Sequence, residues 1–291
     1  MTEASGYVAQ FRQHWPQYAI EAAGLGAFML VAALVDTALE SHRFPLHVLV
    51  ASALLRRALM GVAMGGTAVA LIYSPWGARS GAHFNPALTL TYALLGKIGR
   101  FDAAMYACAQ FAGGAAGVLL AHLLAGPALA EAPVSFAVTV PGSCGVGVAF
   151  GMEMLISAML MGASLYASNQ VRLMRYTGLI CGVLIALFVT FEAPFSGMSM
   201  NPARSVGSAL PSGIWTAMWL YFTAPIMGMG LGALVYRATG PAVVACAKLN
   251  HDTDAPCPFR CHFTARGIHV PSLIRGAESE LAKLDKRIRG R

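Results

Sequence analysis

The sequence predicts an all-α membrane protein with six transmembrane helices and two re-entrant half-helices, arranged as inverted three-helix repeats. Three observations predict this fold. The 291 residues are 57% hydrophobic and only 11% charged, with a mean hydropathy of +0.61. Six apolar stretches lie along the chain, and about 20 apolar residues suffice to cross a bilayer. An Asn-Pro-Ala triplet occurs twice, in similar surroundings.

The low charge content excludes an ordinary soluble enzyme, because a soluble domain carries about 25% charged residues. The formal net charge is +7, and a basic C-terminal segment contributes part of it. Such a segment can contact anionic lipid headgroups, so membrane lipid is the expected partner. Nothing in the composition indicates nucleic acid.

The predicted elements divide the chain into three parts. We expect a cytoplasmic N-terminus over 1–18, a membrane domain over 19–237 and a basic Cys/His-containing cytoplasmic tail over 238–291. The membrane domain contains inverted repeats at about 19–125 and 146–237. Its apolar stretches are at about 19–40, 48–73, 103–125, 146–168, 177–191 and 214–237.

An even number of spans places both termini on one side of the membrane. The connection 126–145 has no Lys or Arg, whereas most other basic residues fall on the opposite side. Cytoplasmic connections are enriched in Lys and Arg, so both termini are predicted to be cytoplasmic. Arg56 and Arg57 fall on the predicted outer side and break this trend.

A repeated motif relates the two halves. Residues 80–87 and 196–203 share the frame Ser-Gly-x-x-x-Asn-Pro-Ala. Three spans make one unit, and an odd number of spans inverts the second copy across the membrane. An acidic residue also lies in the first span of each unit, Glu21 in the first and Glu153 in the second.

Each triplet predicts the start of a short helix. Asn is a favoured N-cap, and Pro is suited to the first helical position. The runs 87–95 and 203–210 are too short to cross about 30 Å of hydrocarbon but long enough to cross half of it. Two half-helices entering from opposite faces would bring their positive N-terminal ends together at the midplane. Their non-helical lead-in segments are permitted where they line a watery path.

With this doubled motif, formed by Asn85-Pro86-Ala87 and Asn201-Pro202-Ala203, the chain resembles the aquaporin and glycerol-facilitator family, the major intrinsic proteins. The resemblance covers roughly 15–237. It implies six tilted helices, two re-entrant half-helices, one pore per protomer, a homotetramer and no cofactor for the channel. Asn85 and Asn201 would each offer an amide N–H to a solute at the pore centre, unless both serve only as helix caps.

The resemblance also locates a selectivity filter. By counting from the motifs, the four positions fall on Gly65, Val189, Met198 and Arg204. Arg204 would repel cations and hold a solute oxygen. Gly65 lacks the ring, and Val189 lacks the His, of water-selective relatives. A wider and less polar constriction is therefore expected, suited to glycerol or a metalloid hydroxide.

Other positions favour water. Glycerol facilitators usually have Asp after the filter Arg, a basic residue four positions further on, and a non-aromatic pair later in the chain. This chain has instead the residues Ser205, Ala209, Tyr221 and Phe222. The filter positions therefore favour a solute larger than water, whereas these four residues favour water.

The acids and a histidine near the motifs have two interpretations each. A buried acid in a bilayer must be hydrogen-bonded, and in the family such acids brace the re-entrant loops, so Glu21 and Glu153 are expected to do the same. The alternative is a proton relay, as in a transporter. His83 would face the inner vestibule or pack within its loop.

The tail contains Cys246, His251, Cys257 and Cys261 within a short stretch. Three thiols and one imidazole can supply a tetrahedral zinc site, although the spacing matches no common zinc finger. Free or lipid-modified thiols are the alternative.

The sequence thus predicts a passive channel for water or small uncharged solutes that excludes ions and protons, in a plasma or inner membrane. A wider facilitator for glycerol or metalloid hydroxides is the first alternative, and a coupled secondary transporter is the second. A membrane enzyme is not expected, because the spans lack paired carboxylates, a metal cluster and an activated Ser.

Overall fold

The computed structural model describes residues 3–239, 244–251, 253 and 255–265. The end of the predicted tail, 266–291, lies outside the described residues. Within the described part the structure is helical, with 3-10 turns at Ser135–Ala137 and Met174–Tyr176. Its α-helices are α1 Glu3–Glu40, α2 Pro45–Leu49, α3 Ala53–Tyr73, α4 Pro75–Ser80, α5 Pro86–Leu94, α6 Arg100–Ala125, α7 Pro127–Ala130, α8 Val146–Ser168, α9 Thr177–Phe191, α10 Ala193–Ser196, α11 Pro202–Ser212, α12 Met218–Thr239 and α13 His262–Ala265.

Six helices of the described chain are long and apolar enough to cross a membrane, which confirms the predicted fold class. They are α1, α3, α6, α8, α9 and α12. Helix α1 begins at Glu3 and has 38 residues, so the predicted N-terminal segment 1–18 is largely a continuation of the first span. At 1.5 Å per residue α1 is about 57 Å long, more than the bilayer core requires.

Two short helices follow the repeated motifs. Helix α5 has 9 residues and helix α11 has 11. Their lengths are therefore about 14 and 17 Å, roughly half of the hydrocarbon core. Both have Asn as the N-cap in extended conformation and Pro at the first helical turn, as the sequence predicts.

The long helices pack in pairs through small residues. Helix α1 packs on α6, α8 on α12, and α3 on α9. At the first pair, a Cβ added to Gly117 would lie 2.1 Å from the Gly26 carbonyl oxygen. Such close backbone approach supplies the van der Waals contact on which helix association in lipid depends.

The two arginines that break the charge trend have local partners. Arg56 donates from Nε to Glu40 Oε1 at 2.9 Å and from Nη1 to the Val50 carbonyl at 2.9 Å. Arg57 donates from Nε to the Thr190 carbonyl at 3.2 Å. These bonds tie α3 to its neighbours and account for two cations on that side.

Gly65 lies in the α3–α9 interface. A Cβ added there would be 2.3 Å from the Gly182 carbonyl oxygen of α9. The next residue, Gly66, has nothing within 4 Å of its added Cβ. The two neighbouring glycines thus face a helix and open space respectively.

We expect Gly65→Phe to destabilise the protein, because the ring must push α3 and α9 apart. Overpacking of this kind typically costs about 1–3 kcal/mol. Thermal unfolding in detergent, followed by circular dichroism, should show a lower Tm for Gly65→Phe than for the matched control Gly66→Phe. Equal Tm values for the two variants would contradict this placement of Gly65.

Candidate functional site

The two lead-in loops before α5 and α11 have unusual backbone conformations at equivalent positions. Ala82 and Phe84 have φ of 59° and 47°, and Met198 and Met200 have φ of 50° and 53°. Non-glycine residues seldom adopt this left-handed region, which costs of order 1–3 kcal/mol each unless surrounding contacts enforce it. The loops therefore need strong local restraints.

Glu21 supplies that restraint for the first loop. Its Oε1 accepts hydrogen bonds from Ser80 Oγ at 2.7 Å and His83 N at 3.1 Å. Its Oε2 accepts from Phe84 N at 2.6 Å and Gln110 Nε2 at 2.8 Å. The Glu21 carboxylate is fully buried, and the loop that it holds supplies most of its hydrogen-bond donors.

Glu153 does the same for the second loop. Its Oε1 accepts from Ser196 Oγ at 3.0 Å and from Ser199 N, and its Oε2 accepts from Met200 N at 2.7 Å. The side chain is also fully buried. The acid–loop geometry is thus repeated across the two halves.

A tyrosine in each half, whose contact with the loop the sequence did not predict, completes the arrangement. Tyr106 donates its hydroxyl proton to the Ser80 carbonyl at 2.7 Å, and Tyr221 donates to the Ser196 carbonyl at 2.6 Å. Each serine begins a copy of the repeated frame. An alignment of the two halves that extended beyond the repeated frame would have been needed to pair these two tyrosines.

The two motif asparagines link the loops to each other. Asn85 Oδ1 accepts from Ala87 N at 2.9 Å, and Asn201 Oδ1 accepts from Ala203 N at 3.0 Å, so both cap their half-helices. Asn85 Nδ2 donates to the Met200 carbonyl at 2.7 Å, and Asn201 Nδ2 donates to the Phe84 carbonyl at 2.8 Å. An amide nitrogen carries two protons, so each keeps a second donor.

Both asparagines border one cavity of about 350 Å³. On one side it extends to Arg57 and on the other to Leu249 of the tail. Most of its wall is apolar. The lining side chains from the spans include Phe28, Ala32, Met60, Met64, Ala68, Leu71, Ile72, Leu160, Cys181, Ile185 and Val189.

The filter positions predicted from the sequence divide into two groups. Val189, Met198 and Arg204 line the cavity, whereas Gly65 is absent from its wall. Gly65 faces the α9 backbone instead, as its 2.3 Å approach to the Gly182 oxygen shows. We therefore correct its placement: α3 presents Met60 and Met64 to the cavity.

Arg204 has a protein acceptor and an acidic neighbour. Its Nη1 donates to the Ala137 carbonyl at 3.0 Å. Asp36 of α1 also lines the cavity and interacts electrostatically with Arg204. Asp36 is not among the residues predicted from the sequence, although an acid inside an apolar span is itself a signal of function.

His83 lines the cavity but its ring is committed to neighbours. Nδ1 lies 3.0 Å from Thr89 Oγ1, and Nε2 lies 3.0 Å from the Ala247 carbonyl oxygen of the tail. The ring also stacks on Phe259 with centroids 5.0 Å apart. His83 therefore joins loop packing to the tail.

The four candidate metal ligands of the tail come together. One ligand atom each from Cys246, His251, Cys257 and Cys261 lies within 4.8 Å of all the others. His251 Nε2 is buried and has no hydrogen-bond partner among the described residues. Burial lowers the pKa of His251 to about 4, so the ring is neutral at pH 7. The cluster is compatible with zinc.

Several known proteins are similar to this chain in sequence. The chain is 36% identical to aquaporin NIP1-4 of Oryza sativa subsp. japonica over 62% of its length, and 34% identical to aquaporin A of Dictyostelium discoideum over 62%. The matched segments span 66% of each relative, slightly under two thirds.

The aquaglyceroporin structure from Plasmodium falciparum has the same fold. It superposes with a TM-score of 0.64, at 16% sequence identity, and covers 78% of this chain and 96% of its own. The family model "Major intrinsic protein" matches residues 12–236, most of the chain. The chain is an integral membrane protein that belongs to the major intrinsic protein family.

Proposed function

We propose that the protein is a passive channel for water and small uncharged solutes. The observation that carries this proposal is that Asn85 and Asn201, the caps of two opposed half-helices, border the same cavity. Their spare amide protons would replace the hydrogen bonds that a solute loses on leaving water. No chemical change of the solute is required.

The charges around the cavity support exclusion of cations and protons. The N-terminal ends of α5 and α11 meet there, and helix N-termini carry a partial positive charge. Arg204 adds a full positive charge on the wall, beside the acidic side chain of Asp36. We therefore infer that solute flux is electrically silent.

The buried acids argue against a coupled transporter. Glu21 and Glu153 each hold a loop through several hydrogen bonds. A coupling group must change its partners during transport, and a change at either acid would release the loop. The passive channel therefore fits these contacts better.

The solute that fits best is larger than water. Val189 and Met198 line the cavity without an aromatic ring or imidazole. Ser205, which appeared to favour water, is buried and lies 2.6 Å from Ser199 Oγ, and Tyr221 bonds the Ser196 carbonyl. Because both serve the loop scaffold, we favour glycerol-sized or metalloid-hydroxide solutes in addition to water.

We also propose the arrangement in the membrane. Four copies assemble into a homotetramer with one pore each, and both termini lie in the cytoplasm of a cell whose plasma or inner membrane holds the protein. Exposed apolar side chains such as Leu123 and Val183 support contact with lipid or a neighbouring copy. The basic tail supports the cytoplasmic side.

We further propose that Cys246, His251, Cys257 and Cys261 hold one zinc ion. Sulfur ligands at about 2.3 Å from a tetrahedral centre lie about 3.8 Å apart, which is compatible with ligand atoms within 4.8 Å of one another.

The charges near the cluster support a metal. Three thiolates, one neutral imidazole and Zn²⁺ carry a net charge of −1. Lys97 and Lys248 are 6% and 1% exposed, and both interact electrostatically with the cluster cysteines. Burial lowers the pKa of both lysines, and a bound anionic complex would offset that cost.

The channel proposal predicts that Asn85→Ala and Asn201→Ala impair conduction, because each removes a helix cap and an amide donor. Stopped-flow light scattering on proteoliposomes, with protein purified in chelator, should show a clear loss of water and glycerol permeability. Asn85→Asp is the matched variant, since it keeps the cap acceptor and removes the donor. Wild-type permeability in correctly inserted Ala variants would remove the pore role of these residues.

The filter proposal predicts that Val189→Phe narrows the constriction. Glycerol permeability should fall more than water permeability, because only the larger solute is excluded by size. Val183→Phe is the control, since Val183 lies on the same helix and is 51% exposed. If both variants keep the wild-type glycerol-to-water ratio, Val189 does not limit solute size.

The metal proposal predicts about one zinc per full-length chain after dialysis from zinc-containing buffer. Elemental analysis of the purified protein measures it. Replacing Cys246, Cys257 and Cys261 together by Ser should abolish binding, whereas Cys108→Ser with Cys144→Ser should not, because these two thiols are exposed elsewhere. A metal-free wild-type chain would favour ordinary thiols.

A further inference from the structure

The cavity that contains the motif asparagines ends on the tail. Leu249 is one of its lining residues and is only 4% exposed. Leu249 N donates a hydrogen bond to the Gly81 carbonyl at 3.2 Å, at the entrance to the first re-entrant loop. The side of the cavity nearest His83 is therefore walled by a residue that belongs to no span.

A second part of the tail packs on His83, which lines the same end of the cavity. The Phe259 ring is nearly parallel to the His83 ring, with an interplanar angle of 7° and centroids 5.0 Å apart. It also lies against Gly81, where an added Cβ would be 2.3 Å from Phe259 Cε2. Arg260 N donates to the Lys97 carbonyl at 3.1 Å, which fixes the segment beside the end of α5.

The four cysteine and histidine positions lie on either side of Leu249 and of Phe259. Leu249 lies between Cys246 and His251, and Phe259 lies between Cys257 and Cys261. A single ion bound to these four residues would fix both segments at once.

The two tail segments that carry Leu249 and Phe259 have little regular secondary structure to stabilise them. Described residues between 244 and 261 form neither helix nor strand. Asn169, at the end of α8, anchors the start of the segment, since its Oδ1 accepts from Ala245 N and Cys246 N. Where regular structure is sparse, metal ligation supplies the folding free energy.

We propose that residues 244–251 and 255–263 form a zinc-held plug that closes the cytoplasmic mouth of the pore. With zinc bound, Leu249 closes the entrance, Phe259 holds the segment against His83, and solute flux is low. When zinc is lost, the segment leaves the entrance and the pore conducts. The tail site is then a sensor of a thiophilic cation, and this inference rests on the channel function and zinc site proposed above.

The contacts explain why the metal would control the mouth. The plug is attached by a few hydrogen bonds, among them His83 Nε2 to the Ala247 carbonyl, and by one ring stack. Burial of Val244, Ala247 and Leu249 in the hydrophobic core adds to this attachment. Each such bond contributes only about 0.5–1.5 kcal/mol net. Without the metal, that attachment must also offset the conformational entropy of ordering the segment, at about 1–2 kcal/mol per residue.

The test uses full-length protein in proteoliposomes, measured with zinc and then with a membrane-permeant chelator. Chelation should raise water and glycerol permeability roughly tenfold, which corresponds to a shift of about 1.4 kcal/mol in the closed–open equilibrium. Adding zinc back should reverse the change. The Cys246/Cys257/Cys261→Ser variant should conduct at the high level under both conditions.

A second variant separates plugging from metal binding. Leu249→Ala with Phe259→Ala keeps all four ligands, so it should bind about one zinc per chain and yet conduct at the high level. Val148→Ala with Leu187→Ala is the control, because both residues are exposed on spans, and it should retain the zinc response.

The outcomes distinguish the proposals. A wild-type chain that binds zinc and conducts equally with and without it overturns the plug but leaves the channel. A chain that conducts in no metal state, including the Leu249→Ala/Phe259→Ala variant, overturns the channel itself. A chain that binds no zinc overturns the metal site, and with it the plug as stated.

Discussion

The structure depends on two carboxylates that hold two non-helical loops inside a membrane. Backbone N–H groups of such loops have no water to bind in the hydrocarbon region, so they must find acceptors in the protein. Glu21 and Glu153 accept from the His83, Phe84, Ser199 and Met200 amides. Once the loops are fixed, the half-helices begin at the midplane, the asparagines face one cavity and left-handed conformations persist.

Much of this arrangement is encoded locally and was predictable from the sequence. Asn followed by Pro specifies a helix start, and the doubled motif specifies two opposed half-helices, as the caps at α5 and α11 show. The apolar stretches located the six spans because lipid exposure requires long apolar segments. The functional roles of Asn85, Asn201 and Arg204 remain predictions.

Other features depend on contacts between distant segments. Gly65 was misplaced because successive helix residues point about 100° apart, so a small error of count turns a cavity residue into one that faces α9. Asp36 lies within a long apolar span and was not predicted as a cavity residue. The hydrogen bonds of Tyr106 and Tyr221 join residues too far apart in sequence for a local pattern to predict them. The contacts of the tail with Gly81 and His83 could not be predicted from the sequence either.

The exchange of amide donors between the two halves has a consequence for synthesis. Asn85 donates to a carbonyl 115 residues later in the chain, and Asn201 reaches back to Phe84. At a translation rate of about 5–20 residues per second, the ribosome needs roughly 6–23 s to make that interval. During this time the first half lacks its partner, so its buried amide must be accommodated by water or the insertion machinery. The first half must therefore persist for this interval without the two hydrogen bonds that join it to the second.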